Sequence, residues 1–465
     1  MKKIINRIVL TAVVLSMMIV PINVKAVDSA AVERKGEEFK VLFSLIRDNY
    51  VGEEVTDEQL FKAAIDGMFD ELDPYSTFYT KKEANTLIEA ISGEFVGIGV
   101  EIVQDGDWVK VSRPIPKSPA IKAGVRAEDI IIAINGESAE NYTPTDAANK
   151  MKGKEGTMVS VTFKRGNKEY TVDIKRALVK ISAVETEEMK DLFPKLDKEV
   201  AKKINYIRIN SINKNVAEDI EPYLEDAKKE GVKYLILDLR DNLGGYVDSG
   251  VALCNMLIPK GPVLYFVNKE GRKITYRSNL NKAPFELVVL TNENTASASE
   301  FIAAAVKESG VGVTVGETTY GKGVAQYIYD ISDKYSIKLT MEEFLSRDGH
   351  KINGIGVAPD YEVIVPNLIV SPERLFLDDE MEEVKNVELI LEYLGYAINE
   401  PDNLYDEKTE KAVTQFQKNV GLRAYGVSDH PTLKALNTKL IESINKKDIQ
   451  LEKAMEVILS KINEN

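Results

Sequence analysis

Residues 292–326 read NENTASASEFIAAAVKESGVGVTVGETTYGKGVAQ, and this stretch decides how the central part of the chain folds. The apolar run Phe285–Leu290 just before it predicts a buried strand. Small and polar residues follow, and Ala298–Ser309 then predicts a helix ended by a glycine. Val311–Val315 predicts a second strand. Ser297 is therefore expected at a strand-to-helix corner, close to the positive end of the helix.

The polar side chains of this stretch have an ordinary structural explanation. Serine is a favoured helix N-cap residue, so Ser297 predicts a cap. Lys322 lies 25 residues further on in a glycine-flanked loop, where a solvated lysine is expected by default. The same pair also suits catalysis, because a serine hydroxyl becomes a nucleophile when a base takes its proton, and an uncharged lysine can be that base. The two histidines, His350 and His430, lie in no recognisable triad context.

A lysine base must be kept uncharged, and this requires shelter from water. The ordinary lysine pKa of about 10.4 has to fall to roughly 7–8, which burial achieves by disfavouring the charged form. We expect Gln326, four residues after Lys322, to hold the amine through its carbonyl oxygen. We expect dry surroundings from the apolar flanks of the loop, which are Val311, Val313, Val315, Tyr320 and Val324.

A phosphate-binding loop is an alternative for the same lysine. Residues Gly316–Lys322 (GETTYGK) fit the spacing G-x-x-x-x-G-K. Gly323, however, stands where that loop needs Ser or Thr to hold magnesium. The next segment, Val324–Ile331, predicts a strand, whereas a phosphate loop opens a helix. The sequence therefore disfavours a nucleotide site.

The paired pattern N-x-x-x-A-S-A-S-E and G-E-x-T-x-G-K-G-x-x-Q resembles the C-terminal processing (tail-specific) serine peptidase family. The resemblance implies that Ser297 is the nucleophile, Lys322 its base and Gln326 the residue that orients the lysine. Thr295 stands where the family has its first serine, which leaves the nucleophile position intact. No metal or organic cofactor is implied.

A second loop of the same family precedes this stretch. Residues Asp238–Gly245 (DLRDNLGG) follow a predicted strand and resemble the family's D-L-R-x-N-x-G-G loop. The resemblance implies an oxyanion hole made by the backbone N–H of Gly244 or Gly245 together with that of Ala298. A helix-entry turn is the alternative.

Residues 177–366, which contain both loops, alternate strand-like and helix-like runs and predict an α/β core. The clearest strands and helices outside the opening stretch are Ile204–Ile209, Val216–Glu230, Tyr234–Leu239 and Val247–Leu257. The single cysteine, Cys254, lies in an apolar run, which predicts core packing.

Residues 93–176 resemble a PDZ domain. The matching motifs are Phe95–Val100, Ser118–Val125 and Asp129–Gly136. The resemblance implies that a peptide adds to a sheet edge with its C-terminal carboxylate on the glycine loop and its last side chain in an apolar pocket. The candidate peptide-binding residues are Val96, Gly97, Ile98, Gly99, Val100 and Arg165; for Arg165, a contact with the protease core or a plain surface position are alternatives.

The two ends of the chain predict export and wall binding. Lys2, Lys3 and Arg7 precede an apolar run, Ile8–Val20, and residues 1–26 read as a secretory signal peptide, with an uncleaved anchor as the alternative. Residues 29–90 have helical spacing, broken by a turn at Leu72–Ser76 (LDPYS), and the resemblance implies that they pack on the protease or help it form a homodimer. Residues 384–439 contain LGY (394–396), AVTQFQ (412–417) and GL (421–422) in that order, and they resemble a three-helix peptidoglycan-binding domain. Residues 441–465 predict an amphipathic helix.

The composition agrees with a soluble protein of several domains. The chain has 465 residues, a length typical of about three domains. Its formal charge of −14 argues against nucleic acid as a partner. These observations predict a multidomain α/β protein that is exported, binds protein substrates by their free C-termini and cleaves them with a Ser–Lys dyad. The rival interpretation is a non-catalytic, wall-bound adaptor.

Overall fold

The computed structural model of the chain describes residues 17–18, 29–370 and 374–464. The predicted signal peptide, residues 1–26, lies outside the described residues except for a two-residue strand, β1 (Met17–Met18), so it stays a prediction. None of the helices within the described ranges combines the length and the apolar character that a bilayer span requires.

The N-terminal segment is helical, as predicted, with one strand inserted. Its elements are α1 (Ser29–Asn49), α2 (Asp57–Asp70), β2 (Thr77–Thr80) and α3 (Lys81–Ser92). Thr56 and Thr80 cap α2 and α3 through reciprocal hydrogen bonds with the side chains of Gln59 and Glu83. The turn between α2 and β2 coincides with the break predicted at residues 72–76.

The next unit is a small antiparallel sheet with two short helices. Its elements are β4 (Val100–Asp105), β5 (Trp108–Pro114), α4 (Pro119–Lys122), β6 (Ile130–Ile134), β7 (Glu137–Ser138), α5 (Pro144–Met151), β8 (Met158–Arg165) and β9 (Lys168–Lys175). The order β4-β5-β6-β8-β9 leaves β4 at an edge. The chain enters and leaves this unit through a ribbon of β3 (Glu94–Gly97) and β10 (Ala177–Lys180).

The α/β core predicted for residues 177–366 is built on a six-stranded sheet ordered β11-β12-β13-β16-β17-β20. Its strands are β11 (Val184–Glu187), β12 (Ile204–Ile209), β13 (Tyr234–Asp238), β16 (Glu286–Thr291), β17 (Gly312–Gly316) and β20 (Tyr361–Glu362), and all pairs except β11–β12 are parallel. The helices of this region are α6 (Met189–Leu192), α7 (Lys198–Ala201), α8 (Val216–Glu230), α9 (Val247–Leu257) and α10 (Ala298–Glu308). The strands and helices predicted from the sequence are confirmed within two residues, and Cys254 is buried in the core, as predicted.

A second sheet lies beside the first and was not predicted. Its strands are β14 (Gly261–Asn268), β15 (Lys273–Ser278), β18 (Val324–Asp330) and β19 (Tyr335–Leu345), in the order β18-β19-β14-β15, with β1 on β18. Strand β2 of the N-terminal segment pairs with β19. The N-terminal segment is therefore joined to the core by backbone hydrogen bonds.

The C-terminal part differs from the prediction at one boundary. Helices α11 (Glu382–Tyr393), α12 (Glu407–Asn419) and α13 (His430–Ile444) enclose their own apolar cluster. Residues 441–444 complete α13 rather than begin the last helix, which is α14 (Ile449–Glu464). Helix α14 lies outside the three-helix unit and packs on the sheet that contains β13 and β16. There, Leu451 and Met455 join an apolar cluster with Ile236 and Leu290.

Candidate active site

Ser297 occupies a strained corner between β16 and α10. Its backbone has φ +56° and ψ −117°, a conformation that residues other than glycine rarely adopt. Such strain costs about 1–3 kcal/mol, and it is maintained where surrounding contacts hold it. The residue is fully buried and its backbone N–H donates to Glu300 Oε2 at 2.7 Å. Ser297 is the N-cap residue of α10, as predicted, but an N-cap alone does not need this backbone, since cap residues typically adopt extended φ and ψ.

Glu300 connects the serine corner with the lysine loop. Its Oε2 accepts from the backbone N–H of Ser297 at 2.7 Å and from that of Lys322 at 2.8 Å. Its Oε1 accepts from Thr319 Oγ1 at 2.6 Å and from the Gly321 N–H at 2.7 Å. Burial raises the pKa of this carboxyl, and the hydrogen bonds oppose that rise. Sequence reasoning assigned Glu300 no role, although it belongs to the A-S-A-S-E pattern.

Lys322 is buried completely, and within the described residues its amine has no hydrogen-bond partner. Nζ lies 4.9 Å from the centroid of the Tyr75 ring. Burial, followed by the charge of Lys338, lowers the pKa of Lys322 well below its ordinary value, so the amine is neutral far more readily than a surface lysine. Lys338 is itself buried, and burial lowers its pKa to about 8.

The residues that shield the Lys322 amine from water are only partly those expected from the sequence. Among the predicted flanking residues, Val315 is buried, but Tyr320 is 55 % exposed and so does not keep water away. Tyr75, from the turn before β2, contributes an aromatic face instead. Sequence reasoning missed this residue because it lies 247 positions away from the lysine along the chain.

Gln326 lies on β18, next to the lysine loop. Its Nε2 donates to Thr340 Oγ1 at 3.0 Å. Its Oε1 is buried and has no hydrogen-bond partner within the described part of the chain. The structure therefore buries two complementary polar atoms near one loop, an amine nitrogen on Lys322 and an amide oxygen on Gln326.

The glycine pair after β13 approaches the serine corner closely. A Cβ on Gly244 would lie 2.7 Å from the nitrogen of Ala298 and 2.9 Å from Cβ of Ser297, so only glycine fits there. The Gly244 N–H donates to Asn242 Oδ1 at 2.9 Å. Asn242 in turn donates to the carbonyl of Ile209 at 2.7 Å and so fixes the loop. This arrangement brings both predicted oxyanion loops together.

Five of the predicted peptide-binding residues are consecutive, Val96–Val100. They run from the β3–β10 ribbon to the edge of the antiparallel sheet. Val96 and Gly97 pair with β10, Ile98 is buried in the core of the unit, and Val100 begins the edge strand β4. Gly99 has φ +81°, and its carbonyl accepts from the Ile115 N–H and from Ser118 Oγ, both at 3.0 Å.

Arg165, the remaining candidate for peptide binding, makes its hydrogen bonds inside the same unit. Its Nε and Nη2 bind the carboxylate of Asp129 at 2.6 and 2.7 Å, and Nη2 also donates to the Gly124 carbonyl at 2.8 Å. Because Asp129 is fully buried, this pair holds the domain together from inside. Internal partners therefore hold Nε and Nη2 of the guanidinium, and the peptide-binding role of Arg165 stays a prediction.

Sequence profiles of four known families match successive parts of the chain. The matches are the activating protease CtpB N-terminal domain at residues 19–84, the PDZ domain at 85–164, peptidase family S41 at 203–363 and a peptidoglycan binding domain at 380–436. Their order agrees with the predicted order of domains, and helix α14 lies beyond all four.

Curated relatives match over most of their length. A "Probable CtpA-like serine protease" from Staphylococcus epidermidis is 32 % identical over 425 residues, which are 89 % of this chain and 84 % of the relative. One from Staphylococcus aureus is 31 % identical over 470 residues, covering 98 % and 91 %. Among solved structures, the photosystem II D1 C-terminal processing protease is 30 % identical and covers 72 % of this chain and 88 % of its own, with a TM-score of 0.43. The chain therefore belongs to peptidase family S41 and is a serine-type, C-terminal processing peptidase that carries a PDZ domain and a peptidoglycan-binding domain.

Proposed function

We propose that this peptidase is an exported endopeptidase that cleaves peptide bonds with Ser297 and Lys322. Ser297 Oγ attacks the carbonyl carbon of the substrate while its proton passes to the neutral Lys322 amine. The lysine then returns the proton to the leaving nitrogen, and water releases the acyl group by the reverse sequence. The observation that carries this proposal is that Glu300 Oε2 accepts from the backbone nitrogens of both residues, at 2.7 and 2.8 Å.

The oxyanion of the intermediate is bound by backbone N–H groups. Ala298 is the first residue of α10, so its N–H has no carbonyl partner in the helix. The Gly244 N–H already donates to Asn242, which leaves Gly245 as the second donor. Gly244 contributes by its lack of a side chain, because any Cβ there would press on Ser297 and Ala298.

The Ser297–Lys322 dyad is tested by substituting each of its members, with the neighbouring buried Ser299 as a control. Ser297→Ala is expected to abolish cleavage of a labelled, unfolded casein, and Lys322→Met to do the same. Ser299→Ala is the matched control, because Ser299 is also fully buried and its hydroxyl has no hydrogen-bond partner within the described residues. Casein cleavage by Ser297→Ala at the wild-type rate would refute the dyad, whereas no cleavage by the wild type itself would favour the wall-bound adaptor.

Substrate tails bind to the PDZ domain at the free edge of β4, with the terminal carboxylate on the loop 97–99. The edge position of β4 and the positive φ of Gly99 support this placement. A labelled peptide with an apolar C-terminus is expected to bind, as measured by fluorescence anisotropy. The same peptide with an amidated C-terminus is the control, and equal affinity for both would contradict carboxylate recognition.

The protein acts outside the cytoplasm and at the cell wall. The basic and apolar leader at residues 1–26 and the peptidoglycan-binding domain support this location. Mass spectrometry of the N-terminus distinguishes cleavage after Ala26 from an uncleaved anchor. Co-sedimentation of the full chain with purified peptidoglycan, and none with chitin, is the expected result for wall binding.

A homodimer is supported by the surface of helix α1. Val41, Leu42 and Leu45 are 60, 56 and 57 % exposed. Their spacing of three and four residues places them on one face of α1. A second copy of this helix would bury such a stripe. We expect sedimentation equilibrium to give twice the chain mass, and Leu42→Glu with Leu45→Glu to return the monomer mass. A wild-type monomer at high concentration would contradict the dimer.

A further inference from the structure

The turn between α2 and β2 is held rigidly by one carboxylate. Asp73 Oδ1 accepts from the backbone N–H of Tyr75 at 2.8 Å and from that of Ser76 at 3.1 Å. Asp73 Oδ2 accepts from the Ser76 hydroxyl at 2.9 Å. The sequence indicated only a break between helices here, but the structure places this turn against the strand β19.

The turn is linked to Gln326 through a single threonine. Thr340 Oγ1 lies 3.0 Å from Asp73 Oδ1 and 3.0 Å from Gln326 Nε2. The Thr340 N–H also donates to Ser76 Oγ at 3.0 Å. Because Gln326 and Thr340 are register partners on β18 and β19, backbone pairing keeps the two side chains adjacent.

The chemistry of these groups sets the direction of the hydrogen bonds. An ionised carboxylate only accepts, so the Thr340 hydroxyl must donate its one proton to Asp73. The hydroxyl oxygen then accepts from Gln326, which fixes the amide with its NH2 group toward Thr340 and its oxygen at the other end. That oxygen is buried and without a partner in the described chain, as is the amine of Lys322.

We propose that Asp73 is a positioning residue for catalysis: through Thr340 it fixes Gln326 so that the amide presents its oxygen to Lys322, while Tyr75 of the same turn covers the lysine amine. This inference rests on the proposed Ser297–Lys322 chemistry. Were the neutral Lys322 amine to turn and donate one N–H to Gln326 Oε1, its lone pair would be oriented, and oriented proton acceptors accelerate such steps.

The role of Thr340 is tested by removing its hydroxyl without changing its shape. With labelled casein, Thr340→Val is expected to lower kcat by about 10- to 100-fold with KM changed less than about twofold. Thr340→Ser, which keeps the hydroxyl, should stay within about threefold of wild type. Thr314→Val is the matched control, since Thr314 is also a strand threonine and its hydroxyl donates to Asp360 Oδ2 at 3.1 Å.

The melting temperature separates positioning from simple stabilisation. Both valine variants are expected to melt at a lower temperature than wild type, whereas only Thr340→Val should lose kcat. A Thr340→Val variant with the same kcat as Thr314→Val would overturn the positioning role. Ser297→Ala distinguishes the two proposals: cleavage by that variant overturns both, whereas its inactivity beside an unimpaired Thr340→Val overturns only this inference.

The proposal that Tyr75 keeps water away from the Lys322 amine is tested by the pH dependence of kcat/KM. This test uses Tyr75 variants and is independent of the Thr340 variants. The charged or titratable groups around Lys322 are Lys338 from β19, Glu300 from α10, and Asp73 and Tyr75 from the turn. Tyr75→Ala admits water to the amine and is expected to move the acidic limb to higher pH, whereas Tyr75→Phe keeps the ring and should leave it in place. An unmoved limb in Tyr75→Ala would overturn the cover.

Discussion

Arg240 and Asp448, which are 208 positions apart, form a two-pronged ion pair with Nη–Oδ distances of 2.9 and 2.8 Å. Arg240 also binds Asp238, at the end of β13, at 2.9 and 2.6 Å. Two residues after Asp448, Gln450 donates to the Val363 carbonyl at 2.8 Å. The start of α14 is therefore bonded to the chain just after β13 and just after β20, two strands of the sheet beside the serine and lysine loops. The last helix of the chain belongs to the protease core.

The first prediction concerns this helix. Leu451→Ala should destabilise the protease core by about 2–4 kcal/mol, because it leaves a cavity between α14 and the sheet. Ile441→Ala, on the exposed side of α13, should change the stability by less than about 0.5 kcal/mol. Scanning calorimetry is the suitable measurement, since the single tryptophan, Trp108, lies in the PDZ domain and does not report on the core. Equal melting curves for the two variants would place α14 outside the core.

The second prediction concerns Glu300. Glu300→Gln puts an NH2 group where one carboxylate oxygen now accepts two hydrogen bonds, so up to two donors lose their acceptor. We expect a loss of about 2–4 kcal/mol in stability and a fall in kcat of about 100-fold or more.

Glu308→Gln is the control for this change. Glu308 lies on the same helix and accepts from Ser346 Oγ and the Asp348 N–H, both at 2.7 Å, and these partners belong to neither the serine corner nor the lysine loop. It should lose stability and retain kcat. A similar kcat for both glutamine variants would show that Glu300 is only structural.

The third prediction concerns the pH dependence of stability. Burial holds the pKa of folded Lys322 well below 10.5, so between these two values the unfolded chain binds one more proton than the folded chain. The free energy of unfolding of the wild type therefore rises with pH across that window. Lys322→Met removes this dependence, and its gain in stability over wild type should shrink as pH rises toward 10.5. Urea unfolding at several pH values measures this, and a gain that is independent of pH would contradict a depressed lysine pKa.

The fourth prediction concerns the PDZ loop. Gly99 has φ +81°, and an added Cβ would lie 2.3 Å from Cβ of Ser118. Gly99→Ala should therefore distort the loop and weaken peptide binding by about tenfold or more, as measured by anisotropy. Gly106→Ala is the control, because Gly106 also has a positive φ, of +60°, but no atom lies within 4 Å of its added Cβ. Equal affinity in both variants would place the peptide elsewhere.

Local patterns predicted much of the core and the candidate residues. Residues 285–331 have the alternation of apolar runs and glycine breaks that specifies strand, helix, strand and strand, and each of these elements is present. The boundaries at Ile204–Ile209 and Val216–Glu230 agree to the residue. Such patterns are reliable because they depend on neighbours along the chain, which the sequence displays directly.

The sequence by itself determined the order of the domains and the positions of Ser297, Lys322, Gln326 and the glycine pair. Only the tertiary structure decided that Glu300 joins the serine corner to the lysine loop, that Tyr75 covers the amine, and that α14 returns to the sheet. Each of these contacts joins segments whose proximity depends on how sheets and helices pack. A side chain's partner across a sheet has no periodic signature, because packing rather than spacing along the chain brings the two together.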